Sequence, residues 1–200
     1  GFTAALGLYK MEMAGQNPTK GELVVTGATG GVGSMAVSVF SQAGYDVIAS
    51  SGKTDEYDYL KSLGAKRCEG REFCNDEKKR PVTRMKWAGG LDTVGGNTLT
   101  TLMAGCGKNG SIAVCGLVGS PKLEATVYPF LLNGVNLIGV ESAETDMETR
   151  LMLWEKLATV WKPKKLEEIA IDITLDELDS YIVKILKGGT RGRVVVKHNH

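Results

Sequence analysis

Short apolar runs alternate with amphipathic segments along the 200 residues of this chain. The first run, at 23–26, is rich in β-branched residues and is followed by a glycine cluster and then by apolar residues at helical spacing. Short runs that are apolar throughout are typical of strands covered on both faces. The predicted strands cover 23–26, 46–50, a weak segment near 67, 90–94, 111–115, 135–140 and 192–196.

The segments between these strands have the spacing of amphipathic helices. Thr54 is predicted to cap one of them. Capping boxes are predicted at two others, from Thr145 with Glu148 and from Thr174 with Glu177. The predicted helices cover 2–13, 32–43, 54–63, 97–103, 145–160 and 175–187. Strands and helices that alternate at this spacing predict an α/β fold: a doubly wound parallel sheet with helices on both faces.

Composition and charge restrict the class of protein. A formal net charge of +1 gives no general attraction to nucleic acid or to acidic membranes. No apolar run is long enough to cross a bilayer, so we expect a soluble protein. The four cysteines lack C-x-x-C spacing and the two histidines lie at the extreme C-terminus. This pattern argues against a structural metal site and favours reduced thiols in the cytoplasm.

A glycine cluster follows the first predicted strand. Its spacing, Ala28-x-Gly30-x-x-Gly33, differs from G-x-G-x-x-G only at the first position. Gly30 lets the backbone approach a pyrophosphate, and Gly33 lets the helix pack closely on the sheet. The free amides and the positive end of that helix attract the anion. A glycine run alone also suits a tight turn, but its place between a strand and a helix favours a dinucleotide site of the Rossmann type.

The end of the second predicted strand indicates which dinucleotide binds. NAD sites usually carry an acid there, which binds the ribose 2′-hydroxyl. This strand ends in a serine pair, Gly52 and Lys53, so that Ser51 can donate to a 2′-phosphate and Lys53 can neutralise it. Asp55 and Glu56 follow, either as acids suited to the first turn of a helix or as ribose ligands. The sequence predicts NADPH rather than NADH, with an ordinary solvated Lys53 as the alternative.

Two enzyme families share the opening of the glycine motif. Thr26-Gly27-x-x-x-Gly31-x-Gly33 also fits short-chain dehydrogenases, which need a catalytic Tyr-x-x-x-Lys far downstream. Tyr57 and Lys61 match that pattern, but they fall in the helix directly after the second strand. That place is wrong for catalysis, so the short-chain interpretation stays a minor alternative.

A series of segments in order gives a more specific resemblance. These segments are VTGATGGVGSMAV, SSGK, YLKSLGA, WAGGLDTVGG, CGLVGS, YPFLLNGVNLIGVES and RGRVVVK. Together they resemble the nucleotide-binding part of medium-chain dehydrogenases/reductases over nearly the whole chain. More narrowly, they resemble the zinc-independent quinone oxidoreductase subgroup, which includes acrylyl-CoA reductases of the YhdH and AcuI type.

The resemblance implies NADPH as the cofactor and a set of contacts with it, carried over position by position. The implied contacts are Thr29, Gly30, Gly31, Val32 and Gly33 at the phosphates, Ser51, Gly52, Lys53 and Arg71 at the 2′-phosphate, and Leu117, Leu131 and Ser142 at the nicotinamide end. It implies no metal site in this chain. It also implies no catalytic residue here, because the catalytic groups of such enzymes come from an N-terminal domain.

The resemblance also implies how the chain is organised. The implied parts are a helix leading out of an N-terminal catalytic domain (1–20), the NADP-binding Rossmann domain (21–165) and a strand-helix-strand that completes the catalytic domain (166–197). Independently of the resemblance, the closing residues 198–200 are interpreted as a tag remnant and excluded from the fold. The strand at 135–140 would pair two copies in a homodimer, since an apolar edge strand invites pairing.

The implied reaction is hydride transfer from NADPH to an activated C=C bond, either in an enoyl-CoA such as acrylyl-CoA or in a quinone. Because the catalytic groups would lie elsewhere, we expect no reductase turnover from these 200 residues by themselves. A non-catalytic module for NADPH binding or dimerisation is the alternative. A start codon directly before Gly1 would favour that alternative.

Overall fold

The computed structural model describes residues 1–198, and its centre is a six-stranded parallel sheet. The strands are β1 (Leu23–Thr26), β2 (Val47–Ser50), β3 (Arg67–Glu69), β4 (Trp87–Asp92), β5 (Cys106–Val114) and β6 (Asn136–Gly139). They lie in the order β3-β2-β1-β4-β5-β6. This order is typical of the Rossmann fold, which confirms the predicted fold class. Between β1 and β4 the order reverses, and open α/β sheets bind ligands in the crevice beyond the carboxyl ends of such strands.

Helices cover both faces of this sheet. Around it lie α1 (Phe2–Met13), α2 (Gly31–Gln42), α3 (Tyr57–Ser62), α4 (Gly96–Ala104), α5 (Tyr128–Asn133) and α6 (Met147–Ala158). Side chains alternate between the faces along each strand, so Leu23 and Val25 join the apolar cluster of α1 and α2, whereas Val24 joins that of α4. All three are fully buried. This burial on both faces explains why the strands are apolar throughout.

The opening helix has the predicted limits but a different buried face. The spacing of its large apolar residues predicts a face made of Phe2, Leu6, Tyr9 and Met13. Of these, Leu6 is buried, whereas Met13 is 72% exposed. Small residues fill much of the true contact, including Ala4 and Gly7. A Cβ on Gly7 would lie 2.7 Å from a methyl group of Leu91 on β4. Close packing on the sheet therefore selects small residues here, and a pattern of large apolar residues does not reveal it.

The predicted start of α6 is wrong by one residue. Its N-cap is Asp146, whose carboxylate accepts a hydrogen bond from the Thr149 amide at 2.8 Å. Thr145 lies outside the helix and donates its hydroxyl to the Glu141 carbonyl at 3.2 Å. A carboxylate at the N-cap also stabilises the positive end of the helix, which a hydroxyl does not, and this favours Asp146 over Thr145.

The other two predicted helix starts have different outcomes. Thr54 does not cap a helix, because it lies inside a short 3₁₀ turn that precedes α3 and that has Lys53 at its N-cap. Gly64 follows the C-cap of α3 with a φ of +112°, a conformation that glycine adopts without strain. The capping box of Thr174 is confirmed, because the Thr174 amide donates to the Glu177 carboxylate at 2.8 Å.

Two central strands begin earlier than predicted. β4 begins at Trp87 and β5 at Cys106, and these two residues are paired in the ladder. Trp87 is buried, and its indole N–H donates to the Leu102 carbonyl at 2.8 Å. The glycines that follow Trp87 and Cys106 obscured both strands, since glycine is depleted in strands.

The C-terminal part forms a separate unit. It contains α7 (Leu166–Ile169), β7 (Ala170–Ile173), α8 (Leu178–Leu186) and β8 (Arg193–Val196). β7 and β8 pair in parallel as a two-stranded sheet. Of the predicted tag remnant, His198 is exposed, and residues 199 and 200 lie outside the described residues. No helix in residues 1–198 combines the length and apolar character needed to span a membrane.

Candidate cofactor-binding site

A cavity of about 460 Å³ opens at the carboxyl ends of β1, β2 and β4. Its volume lies within the roughly 300–1,000 Å³ that is usual for small-molecule sites. The predicted contacts that line it are Thr29, Ser51, Gly52, Lys53 and Arg71. Cys74, Asn75, Val94 and Thr98 add an uncharged wall. The structure thus brings together residues from the glycine loop, the end of the second strand and the following loop.

The glycine loop joins β1 to α2 as the sequence predicts. Gly27 has a φ of +57°, and Gly30 is the N-cap of α2. A Cβ on Gly33 would overlap the Gly27 carbonyl oxygen and lie 2.7 Å from the Ala28 Cα, so the helix packs directly on the strand end. Within the described residues no side chain caps α2, and its first turn carries no acid. The helix start therefore suits an anion.

Hydroxyl groups connect the glycine loop to the end of β2. The Thr29 and Ser51 side-chain oxygens lie 3.2 Å apart, and both residues are buried. Ser51 Oγ also accepts the Lys53 amide at 3.1 Å, which holds the turn after the strand. One polar surface therefore joins the helix start to the place where a 2′-phosphate would lie.

Two cations converge on the turn after β2. The Arg71 guanidinium lies directly against Gly52, where any Cβ would overlap Arg71 Nε, and Lys53 lines the same cavity. Burial lowers the pKa of the Lys53 ammonium, Glu56 and Asp55 raise it, and Arg71 and Lys184 lower it again. A dianionic 2′-phosphate would relieve this crowding of positive charge.

A buried carboxylate fixes the glycine loop relative to β4. Asp92 is fully buried, and it accepts the Thr26 hydroxyl and the Gly95 amide, each at 2.7 Å. The Thr93 hydroxyl donates to the Thr26 carbonyl at 2.9 Å. Burial raises the pKa of the Asp92 carboxyl, and the hydrogen bonds from the Thr26 hydroxyl and the Gly95 amide offset only part of that rise. In the sequence this aspartate stands within the segment WAGGLDTVGG without any stated role, and only the fold shows that Asp92 holds the two strand ends together.

Arg193 was not predicted as a site residue, yet it reaches the glycine loop. A Cβ on Gly31 would lie 3.0 Å from an Arg193 guanidinium nitrogen, so this cation lies against the first residue of α2. A cation beside a helix N-terminus is unfavourable unless an anion lies between them. Arg193 is 162 residues away from Gly31 along the chain, and no local motif connects the two positions.

Three predicted contacts at the nicotinamide end lie apart from this cavity. Leu117 and Leu131 are 63% and 75% exposed. The Ser142 hydroxyl lies 3.0 Å from that of Thr3 on α1. None of the three lines the cavity, although Val118 and Gly119, directly after Leu117, do so.

Cysteine thiols and the Tyr57 and Lys61 pair are other groups that could take part in catalysis, but their surroundings do not favour it. Burial raises the pKa of the Cys74 thiol to about 12 and that of Cys115 to about 11, so both thiols are protonated at neutral pH. Tyr57 and Lys61 of the short-chain pattern do not line the cavity. Residues 1–198 contain no group of three or more potential metal ligands.

A larger cavity, of about 660 Å³, lies between α2, α6 and the C-terminal unit. Its lining is mostly carbon, from side chains such as Met35, Trp154 and Leu166. Of the predicted cofactor contacts it includes only Gly31. The smaller cavity has the hydroxyls and cations that recognise phosphate, so its chemistry fits a phosphorylated dinucleotide better.

Comparison with known proteins identifies the family of this fold and motif. A family model described as zinc-binding dehydrogenase matches residues 31–156, from the first residue of α2 to within α6. The chain belongs to the zinc-binding dehydrogenase family. The predicted resemblance to medium-chain dehydrogenases/reductases and to their quinone oxidoreductase subgroup is confirmed.

Individual relatives are similar to this chain over nearly its whole length. It is 42% identical over 198 residues to the putative quinone oxidoreductase YhfP of Bacillus subtilis, covering 98% of this chain and 60% of YhfP. It is also 42% identical over 199 residues to acrylyl-CoA reductase AcuI of Ruegeria pomeroyi, covering 100% of this chain and 60% of AcuI. The chain therefore spans about three fifths of the length of these relatives.

Solved structures confirm the fold. The crystal structure of B. subtilis YhfP with NAD bound matches with a TM-score of 0.94 and 42% identity, covering 99% of this chain and 60% of that one. The crystal structure of Escherichia coli K-12 YhdH with bound NADPH matches with a TM-score of 0.94 and 41% identity, covering 100% of this chain and 61% of that one.

Proposed function

We propose that this chain binds NADPH and is the cofactor-binding part of an oxidoreductase. One observation carries the proposal: Thr29 of the glycine loop before α2 lines a single cavity at the sheet's carboxyl edge together with Ser51, Lys53 and Arg71. A pyrophosphate suits the helix start, and a 2′-phosphate suits the hydroxyl and cations. The NADPH bound in the related YhdH structure supports this assignment.

Each predicted contact has a role in this proposal. Thr29, Gly30, Gly31 and Val32 would bind the pyrophosphate, and Gly33 would bring the helix close enough for them to do so. Ser51, Gly52, Lys53 and Arg71 would bind the 2′-phosphate, while Leu117, Leu131 and Ser142 would contact the nicotinamide end. Arg193, added by the structure, would neutralise charge beside Gly31. NADPH, when bound, supplies a hydride.

The substrate proposal follows from the relatives. We propose an activated C=C bond as the hydride acceptor, in an enoyl-CoA such as acrylyl-CoA or in a quinone. The names of AcuI, an acrylyl-CoA reductase, and YhfP, a putative quinone oxidoreductase, support it. This chain's residues would hold and orient the cofactor. We further propose a cytoplasmic location, which the four free cysteines support.

A titration tests the proposed cofactor. NADPH is expected to bind this chain at least about tenfold more tightly than NADH, because charge-assisted hydrogen bonds to the 2′-phosphate contribute roughly 1.5–3 kcal/mol each. The enhancement of NADPH and NADH fluorescence on binding gives both dissociation constants. Equal affinities, or tighter binding of NADH, would contradict the assignment of Ser51, Lys53 and Arg71.

We also propose that two copies pair through β6. This strand is the outer one of the six-stranded sheet at the end opposite β3. The Val140 amide donates inward to the Val114 carbonyl, so by alternation the amide of Gly139 points to the free edge. A Cβ on Gly139 would meet nothing within 4 Å. Unpaired edge strands are ready to pair with a second copy.

A proline at the free edge tests the dimer. Gly139→Pro removes the outward N–H and places a ring on the edge, so it is expected to convert a dimer into a monomer. Gly139→Ala is the matched control and is expected to leave the dimer intact. Light scattering coupled to size-exclusion chromatography gives the mass of each variant. A monomeric unmodified chain, or a dimeric proline variant, would contradict pairing through β6.

A further inference from the structure

The loop before β8 packs against the turn after β2. The Gly192 amide donates to the Thr29 carbonyl at 2.8 Å. The Lys53 ammonium donates to the Thr190 carbonyl. Between these two contacts, the Arg191 guanidinium donates to the Glu56 carboxylate at 2.8 Å. A segment from the far end of the chain therefore contacts both the glycine loop and the turn after β2, beside the proposed 2′-phosphate site.

Glu56 is an acid that lies just after β2, where a carboxylate affects the choice between NADPH and NADH. Its amide donates to the Lys53 carbonyl at 3.1 Å, so it lies within one turn of the proposed phosphate contacts. Its carboxylate is partly buried, with 22% of the side chain exposed. An acid after the second strand is the group that NAD sites use for the ribose 2′-hydroxyl. Left unpaired, this carboxylate would repel a 2′-phosphate and would accept a hydroxyl.

Arg191 forms an ion pair with the Glu56 carboxylate. Its guanidinium lies 4.6 Å from the centre of the Tyr59 ring, and Tyr59 is buried. The ring and the backbone contacts of Thr190 and Gly192 fix the position from which Arg191 binds Glu56. The pair holds the negative charge against the C-terminal loop and neutralises it. Glu56 lies close enough to Lys53 to raise the pKa of its ammonium, so a change in the charge of Glu56 reaches the site.

We propose that Arg191 is a specificity-determining residue, which favours the 2′-phosphorylated cofactor by pairing with Glu56 beside Ser51, Gly52 and Lys53. The inference rests on the proposed NADPH function. Arg191 acts through Glu56 and is thus a positioning residue. Removal of Arg191 frees a carboxylate that opposes NADPH and does not weaken the binding of NADH.

The test compares NADPH and NADH affinities of charge variants in the intact chain. Arg191→Met keeps the apolar stem over Tyr59 and is expected to weaken NADPH binding about five- to tenfold, with NADH binding changed less than about twofold. Arg191→Met combined with Glu56→Gln is expected to recover NADPH binding to within about twofold of the unmodified chain. Lys197→Ala, which breaks the exposed pair with Asp172 on the same C-terminal unit, is the control and is expected to change neither affinity.

Each other outcome overturns the inference. Equal loss of NADPH and NADH binding in Arg191→Met would mean that Arg191 has only a structural role. Unchanged binding of both cofactors would mean that Arg191 has no role in cofactor binding. A double variant that stays weak would mean that Arg191 acts without Glu56. Glu56→Gln alone keeps Arg191 and should retain the preference for NADPH, so its loss there also counts against the inference. An unmodified chain without that preference contradicts the proposed function as well, whereas a preference of unchanged size in Arg191→Met contradicts only the role of Arg191.

Discussion

Replacing Lys53 and Arg71 together by alanine is expected to weaken NADPH binding by roughly 100-fold or more while changing NADH binding less than about threefold. Both side chains line the cavity, and Arg71 lies against Gly52 at the turn that follows β2. Each would make a charge-assisted hydrogen bond to the 2′-phosphate, and NADH has no such group. Fluorescence titration with the two cofactors measures the ratio.

A second pair of cations provides the control for that experiment. Arg84 and Lys108 are exposed and do not line the cavity, so their double alanine variant has the same change in net charge. It is expected to bind both cofactors as the unmodified chain does. If the control weakens NADPH binding as much as the Lys53 and Arg71 variant, general electrostatic attraction and not a local site explains the preference.

Gly33→Ala is expected to lower the free energy of unfolding by about 3 kcal/mol and to abolish cofactor binding. The added Cβ would overlap the Gly27 carbonyl and approach the Ala28 Cα, and both are backbone atoms that cannot rotate away. α2 must then move off the strand end, which displaces the amides that would face the pyrophosphate. Urea denaturation followed by circular dichroism measures the loss of stability.

Two other glycines give this prediction a graded control. At Gly30 a Cβ would meet the Gly27 carbonyl at 3.3 Å, so alanine there is expected to cost less than at Gly33. At Gly139 a Cβ would meet nothing within 4 Å, and alanine is expected to be nearly neutral. Equal stability of the Gly33 and Gly139 variants would show that close packing of α2 on β1 is not needed.

The features of the fold that could be predicted are those set by a few residues adjacent in the sequence. Each strand of the sheet and the glycine loop occupies a few consecutive residues, and the predicted order of strands and helices around the glycine loop is confirmed. Failures came where a neighbour in space decides. The contact face of α1, for example, depends on how closely Gly7 approaches β4. A local choice also failed, because Asp146 rather than the adjacent Thr145 is the N-cap of α6.

The candidate site likewise contains residues that the sequence predicts to lie together and residues that only the fold brings to it. Residues from Thr29 to Lys53 form one stretch of strand, turn and helix, so spacing alone predicts that they lie together. The contributions of Arg193 and of the Arg191 pair with Glu56 come from more than 130 residues away. Such contacts depend on the path of the C-terminal unit, for which single-sequence periodicity has no signal.

The sequence by itself determined the alternation of strands and helices, the helix start that suits a pyrophosphate and the cations that suit a 2′-phosphate. These features depend on hydrogen bonding and burial within short segments, where residue type limits the conformation. Only the tertiary structure decided which charges meet. It buried Asp92 between the ends of β1 and β4, placed Arg193 at Gly31 and paired Arg191 with Glu56. Electrostatic energies depend on distance and burial, and both are properties of the folded chain.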